Sequence, residues 1–435
     1  MVKSVFKPVK TMIKKHCPSY YAATANQNPG FPSLTGSHSA DVCVIGAGFT
    51  GIATALTLAE RGYSVVVVEQ NLVGWGASGR NGGQMIGGFN GQHHILKKLG
   101  QEYEDIIFKM GYRGHEIIEE RVASYGIECD LKHGYMDVAF KKRHMDSFRR
   151  RYEELQHKGF GEHIRVVERN EMSGVLGTDA YIGGLINNRN GHLHPLNLCL
   201  GEARAAVGLG AKIFENTEVI DIQHGKKPMV KTAQGHIIAN KVVLAGNAYN
   251  KLERKKLAGL LFPAGSFIIA TEPLTESEVQ QLNPQDMAIC DANEVLDYYR
   301  LSADRRLLFG GRCNYSGHVP ASIKAIMQPR MLKIFPQLIG KRIDYEWGGN
   351  IGIVVNRVPL MGRVSDNVFY SMGYSGHGVN TTHLAGEIMA DAIAGTFEKL
   401  DIFEKINHTK IPFGQKFGGQ MVALGMLYFR MMDLL

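Results

Sequence analysis

Apolar positions between residues 41 and 69 fall into two continuous blocks with a periodic segment between them. "DVCVIG" reads as a buried strand, "FTGIATALTLAERG" as a helix stopped at Gly62, and "YSVVVVE" as a second strand. Runs buried on both faces, joined by a helix, predict a strand–helix–strand unit in a parallel sheet. Residues 95 to 160 read as mostly helical, with their charges on one face. From 196 to 247 the pattern is mixed again: a helix "LNLCLGEARAAVGLG", one strand "KIFENTEVIDIQ", a hairpin, then "KVVLAGNA". Residues 264 to 347 alternate strands and short helices, including "YYRLSADRRLLFGG", and 367 to 395 read strand, glycine-rich turn, helix. The sequence shows no internal repeat. The expected class is α/β.

Length and composition narrow this picture. A chain of 435 residues exceeds one ordinary core, so two domains are expected. An apolar fraction of 44% with 21% charged residues suits a globular protein. No uninterrupted apolar run reaches the length of a membrane span, and the N-terminus lacks an apolar signal core, so a cytoplasmic location is expected. Cys17, Cys43, Cys129, Cys199, Cys290 and Cys313 form no close pair, which excludes CxxC metal and redox motifs and predicts reduced thiols. The net charge of +8 is concentrated in one place: Lys3, Lys7, Lys10, Lys14 and Lys15 precede any acid. That asymmetry does not describe a nucleic-acid enzyme. With Val5, Phe6, Val9, Met12 and Ile13 it describes an arm able to lie on a membrane surface or pack on the body. The tail "FGGQMVALGMLYFRMMDLL" is apolar but too short to span, so peripheral membrane contact is a second expectation beside packing or oligomer contact.

The chemistry lies in the glycines. "GAGFTG" places Gly46, Gly48 and Gly51 between the first strand and its helix, with Ala47 and Thr50 on the same turn, and Glu69 ends the next strand. In that context G-x-G-x-x-G is a dinucleotide fingerprint. The first glycine turns the chain, the second admits a pyrophosphate, and the third lets helix meet sheet. The helix N-terminus supplies donors to the phosphates, and Glu69 accepts from the ribose hydroxyls. A second glycine cluster follows, "GASGRNGGQ", comprising Gly76, Ala77, Ser78, Arg80, Asn81, Gly82, Gly83 and Gln84. Ser78 and Arg80 are expected at the phosphates, and Asn81 to Gln84 at a flavin ring. No second dinucleotide fingerprint exists, so a single FAD is the expected redox cofactor.

These stretches, with "SYYAATAN", "NGHLHPLNLCLGEA", "VVLAGNAY", "LDYYRLSADRRLLFGG" and "GYSGHGVNTTHLAGE" in order along nearly the whole chain, resemble the D-amino acid oxidase (DAO) superfamily of FAD oxidoreductases. Within it they are most similar to the branch that oxidises gamma-glutamylputrescine. The resemblance implies a discontinuous Rossmann-type FAD domain (38–97, 160–262 and 348–400) and a sheet-rich substrate domain (98–159 and 263–347). An N-terminal arm (1–37) and an apolar extension (401–435) lie outside these. It also implies contacts with FAD from Val219, Ala245, Gly246, Gly376, His377, Gly378 and Val379. The helix after Gly378 would aim its positive end at the flavin. His377 is also a candidate for direct contact with the reacting groups.

Amino-acid oxidases of this superfamily carry an arginine that clamps the substrate carboxylate. Here the corresponding stretch, "WGGNIGIVVNRVPLMGR", offers Asn350 to Gly352 instead. That absence implies oxidation of a primary amine whose reacting carbon bears no carboxylate, such as gamma-glutamylputrescine, giving an aldehyde, ammonia and hydrogen peroxide. A dehydrogenase passing electrons to a quinone or carrier is the alternative, and a non-catalytic flavoprotein subunit a third. Tyr298, Tyr299 and Trp347 are candidate aromatic walls, of which only one of the two tyrosines can face the pocket. Arg300 is a candidate for a remote glutamyl carboxylate and Asn350 for the substrate. Relatives that bond flavin covalently use a late cysteine. None follows Cys313, so FAD is expected to be non-covalent. "HLH" at 192 to 194 lacks a third ligand, so no metal is expected.

Overall fold

The computed structural model describes residues 14–27, 30–293, 295–314 and 320–410, with 312–314 described by backbone alone. The amphipathic positions 5–13, the side chain of Cys313 and the apolar tail from 411 lie outside the described residues. Two large sheets stand side by side. The first runs in the order Val219–Gln223, Met229–Thr232, Gly235–Leu244, Gly36–Ile45, Val65–Val68, Lys212–Phe214. Val368–Met372 pairs in parallel with the far half of Gly235–Leu244 and carries Leu360–Ser365 on its other side. The strands at its centre are parallel, and Val65 to Val68 are all buried, as expected of a strand covered on both faces.

The glycine turn is forced by packing. Gly46 takes φ +110°, which side chains disfavour, and a Cβ there would lie 2.8 Å from the Ala245 carbonyl oxygen. A Cβ on Gly51 would lie 1.8 Å from the Gly46 carbonyl oxygen, so the helix Phe49–Glu60 can only start this close to its strand without one. Gly51→Ala should therefore yield colourless protein with stability lowered by about 1–3 kcal/mol. The ratio of flavin to protein absorbance after purification checks this. Full flavin content would show that the turn has room the geometry denies it.

Four helices behind this sheet share a buried polar centre. Arg121 on Glu104–Tyr125 donates to Glu202 on Pro195–Gly208 at 2.9 Å and to Thr57 on Phe49–Glu60 at 2.7 Å. His383 on Val379–Ile393 meets the other Glu202 oxygen at 3.2 Å.

The second sheet runs Ile343–Val354, Leu261–Thr271, Leu307–Asn314, Asp297–Leu301, Ala288–Asp291, Tyr135–Ala139, Gly183–Asn187, Ile164–Glu168. All its pairings are antiparallel except that of Ala288–Asp291 with Tyr135–Ala139. A small third sheet, Gln84–Met85, Gly191–His192 and Lys132–His133, bridges the two.

Several boundaries differ from the sequence expectation. "KIFENTEVIDIQ" is not one strand. Lys212–Phe214 closes one edge of the first sheet and Val219–Gln223 the opposite edge. The break falls at Asn216, whose backbone is left-handed (φ 51°), beside the buried Glu215, whose carboxylate accepts the Phe31 and Val73 amides. Residues 164 to 187 were assigned to the FAD domain but pair into the second sheet. The helix Glu104–Tyr125 was assigned to the substrate domain but packs on Val379–Ile393. The strand Tyr135–Ala139 was read as part of a helical region. The described part of the arm is not loose: Tyr21 and Leu34 are fully buried, and Lys14 donates to the Gln70 carbonyl at 2.8 Å. The helix Glu398–Glu404 packs on Leu360–Ser365, so the first sheet's domain runs past 400. Among the described residues no helix is long and apolar enough to cross a membrane.

Candidate active site

A cavity of about 570 Å³ runs from the glycine turn of the first sheet to the face of the second. Its first stretch is lined by Gly46, Gly48, Thr50 and Glu69, with Val219, Ala245 and Gly246. Glu69 is fixed at both oxygens, accepting the Ala47 and Asn71 amides at 2.8 Å each. Burial raises its carboxyl above the ordinary range; the two amides work against that, and Glu215 adds to it. Each oxygen keeps a lone pair for a ribose hydroxyl. At the helix N-terminus Ser78 Oγ accepts the Phe49 amide at 2.8 Å. Thr50 and Ser371 hydrogen-bond the Tyr374 hydroxyl, which burial pushes up to about 12.

The middle stretch is the glycine loop. Gly76, Ala77, Ser78, Arg80, Asn81, Gly82 and Gln84 line it. Asn81 donates to the Ala77 and Ser78 carbonyls and accepts the Gly83 amide, so the loop is held by its own side chain. Arg80 donates to the Trp75 and Gly348 carbonyls, and its guanidinium lies 4.3 Å over the Trp75 ring. Gln84 donates to the Ile289 carbonyl at 3.0 Å, joining this loop to the second sheet. Gly376, His377, Gly378 and Val379 close the cavity where the helix Val379–Ile393 begins. Three expected lining residues stand behind the wall. The Ala47 amide is used by Glu69, Gly51 lies under Gly46, and a Cβ on Gly83 would strike the Leu193 carbonyl and Arg300. An acid anchored at a strand end, a side-chain-free turn and a helix N-terminus fit the ribose, pyrophosphate and ring of FAD. These are the residues that would hold it.

The second sheet supplies Tyr135, Asp137, Ser266, Cys290, Asp291, Tyr298 and Gly349 to the far end, with Ile86 and Ile351. Tyr298 faces the cavity: a Cβ on Gly82 or Gly310 would come within 2.4 Å of its ring, so the tyrosine passes over two bare backbones. Strand alternation turns Tyr299 the other way. It stacks on Phe309, meets Phe335 edge-on and donates to Tyr181, so its expected place in the site is corrected to the core. Trp347 is likewise off the cavity. Its ring packs on Tyr21 and its Nε1 donates to the Arg80 carbonyl, which makes it a support for the glycine loop. Arg300 is not a substrate cation either: it is 3% exposed and donates to the Gly82 and Leu193 carbonyls and the Tyr21 hydroxyl. Asn350 pairs with Gly265 and leaves the lining to its neighbours Gly349 and Ile351. His377 reaches the cavity with its Nε2 committed to the Ile86 carbonyl at 3.0 Å, and burial lowers its pKa, so the neutral ring is favoured. His192 bonds the Asp286 carbonyl and His194 accepts the Asn197 amide at a helix start.

Sequence reasoning missed the two acids. Asp137 accepts the Tyr135 hydroxyl at 2.8 Å, and burial raises its carboxyl to about 6, against Tyr135 and Arg151. Asp291, raised to about 7 chiefly by burial, accepts the Asn293 and Asp297 amides. The signal was present: an acid inside the apolar runs "YMDVAF" and "AICDA" must find partners or a purpose.

A dinucleotide cradle facing an antiparallel substrate sheet across one cavity is the arrangement of a flavin-dependent oxidoreductase. The chain belongs to the DAO family, FAD dependent oxidoreductase, which matches residues 41–392. Gamma-glutamylputrescine oxidoreductase of Escherichia coli strain K12 is 39% identical over 422 residues, covering 96% of this chain and 99% of that protein. "Probable oxidoreductase OrdL" of Haemophilus influenzae is 42% identical over 427 residues, covering 97% and 98%. The fold is similar to that of glycine oxidase from Geobacillus kaustophilus. There the TM-score is 0.71 at 20% identity, with 86% of this chain and 100% of that chain covered.

Proposed function

We propose that the protein oxidises a primary amine whose reacting carbon carries no carboxylate, with gamma-glutamylputrescine or a related acylated polyamine as substrate. The observation that carries this is Ile351. It lines the cavity beside Gly376, where a clamp for an α-carboxylate would have to lie, and it can hold no anion. The cations among the described lining residues are Arg80, Lys251 and Arg357. Arg80 is spent on Trp75 and Gly348, and Lys251 is paired with Glu218 at 3.1 Å. The second sheet instead offers the carboxylates of Asp137 and Asp291, which suit an ammonium. The name of the 39%-identical relative points the same way.

Bound FAD would supply the hydride acceptor for the carbon bearing the nitrogen. This chain's residues bring the amine to it and keep water away. Asp137 and Asp291 draw the amine in, Tyr298 lies along an alkyl chain, and Ile86 and Ile351 exclude water. An ammonium gives up one proton before its carbon can lose hydride, and the carboxylates of Asp137 and Asp291 are placed to take it. The resulting iminium hydrolyses to an aldehyde and ammonia, and oxygen takes the two electrons as hydrogen peroxide.

Anaerobic mixing with gamma-glutamylputrescine, putrescine, glycine, sarcosine and D-alanine tests the reading at the flavin's visible band. Bleaching by the glutamylated amine is expected, with rapid recolouring and peroxide on admitting air. Bleaching by an amino acid alone would overturn it, and slow recolouring would make the protein a dehydrogenase. The late cysteine of relatives that bond flavin covalently has no counterpart after Cys313, so acid denaturation should release all the yellow colour. Colour kept on the chain would show covalent flavin.

A further inference from the structure

Arg357 is the lining cation that no described residue uses. Its side chain is half-buried and makes no ion pair and no hydrogen bond among the described residues. Its backbone is left-handed, with φ 63°, a conformation that side chains disfavour. The amide is held there by the Val354 carbonyl at 3.0 Å, so the turn presents the residue rather than leaving it loose. A half-buried guanidinium with no acidic partner among the described residues, on a backbone that glycine would suit better, is suited to an anion from outside the chain.

We infer that Arg357 binds the carboxylate of the substrate's acyl group, at the end of the cavity away from the reacting amine. This rests on the functional reading above and adds the residue that selects the acyl group. Arg357 follows Ile351 by six residues. Three of these extend along the strand to Val354, for roughly 10 Å, and the rest close the turn. A gamma-glutamyl group puts its carboxylate carbon nine bonds from the reacting carbon, the span of about three extended residues, or roughly 10 Å. The two lengths are of the same order. An arginine is also the side chain whose fork takes a carboxylate in two parallel hydrogen bonds. The apparent conflict with the missing clamp disappears: the site rejects a carboxylate on the reacting carbon and receives one at Arg357.

The test uses the full FAD-loaded chain with Arg357→Gly and Arg357→Lys. Glycine removes the guanidinium and suits the left-handed backbone, so folding is retained. The preference for gamma-glutamylputrescine over N-acetylputrescine, which lacks the carboxylate, should fall about 10–100-fold in Arg357→Gly, through KM rather than kcat. Arg357→Lys should recover part of it. An unchanged preference overturns the inference, and so does loss of flavin from Arg357→Gly, which would assign the guanidinium to the cofactor. If the wild type oxidises neither amine, the functional reading fails separately. Arg357 is then judged by glutarate titration of the flavin spectrum: weaker binding to Arg357→Gly supports a carboxylate site, and equal binding rejects it.

Discussion

Glu202→Ala is expected to destabilise the protein by about 3–5 kcal/mol, because it leaves the buried Arg121 guanidinium and the His383 ring without their shared acid. Glu202 and His383 are both 0% exposed, and Arg121 is 4% exposed. Both ring nitrogens of His383 face oxygens, the Val379 carbonyl at 2.6 Å and the Glu202 carboxylate at 3.2 Å. Burial opposes the charge on Glu202, but His383 and Arg121 outweigh it and hold its carboxyl below the ordinary range. A depressed acid stabilises above its unfolded value, near ~4.3, and that contribution is lost as pH falls through the lower folded value. The deficit of the variant should therefore be full at neutral pH and shrink in acid. The helix Val379–Ile393 starts at the cavity, so flavin retention should fall with stability. Thermal melting with flavin fluorescence at several pH values checks both. A melt within a degree of wild type would mean that the triad contributes nothing.

The parts legible in the sequence were those with a local cause. The turn through Gly46, Gly48 and Gly51, the acid at Glu69 and the loop from Gly76 to Gln84 are stretches of consecutive chain; Gly46, Gly48, Gly76 and Gly82 line the cavity, while Gly51, Gly79 and Gly83 let the backbone pack closely behind it. Alternation predicted that only one of Tyr298 and Tyr299 faces the site, but not which, since that depends on the register of Asp297–Leu301 against Leu307–Asn314. Arg300 looked like a substrate cation because charge on a strand suggests a ligand. Its actual partners, the Gly82 and Leu193 carbonyls, lie 218 and 107 residues away in sequence, and nothing local announces them. Asp137 is hidden by the wrong period: the charge pattern of 95 to 160 predicts helix across "YMDVA", and an acid on a helix surface needs no explanation. Domain limits failed for the same reason. Residues 164 to 187 are strands like their neighbours, and only pairing with Tyr135–Ala139 decides which sheet they join.

Asp137→Asn should make the protein more stable and less active at once. The carboxyl is raised by burial to about 6 in the fold, from an unfolded value near ~3.9. A raised acid binds its proton more tightly folded than unfolded. Folding is therefore favoured while the proton is on, and this advantage is lost as pH rises through about 6. Above that pH the wild type keeps an ionised carboxylate in a buried cavity wall. Asparagine keeps an acceptor for the Tyr135 hydroxyl without the charge, so the variant should gain on the order of 1–3 kcal/mol at neutral pH and nothing at pH ~4. Activity should move the other way. An alkylammonium entering the cavity needs the counter-charge, and removing one partner of a desolvated charge pair costs about 10²-fold or more in kcat/KM. In the wild type kcat/KM should fall as pH drops through 6, and in the variant that limb should flatten, leaving the one due to Asp291, raised to about 7. A variant that melts earlier and turns over normally would show Asp137 to be a structural acid, with amine recognition resting on Asp291 and Tyr298. A higher melting point with lost turnover would show that the fold tolerates a strained carboxylate here because the substrate requires it.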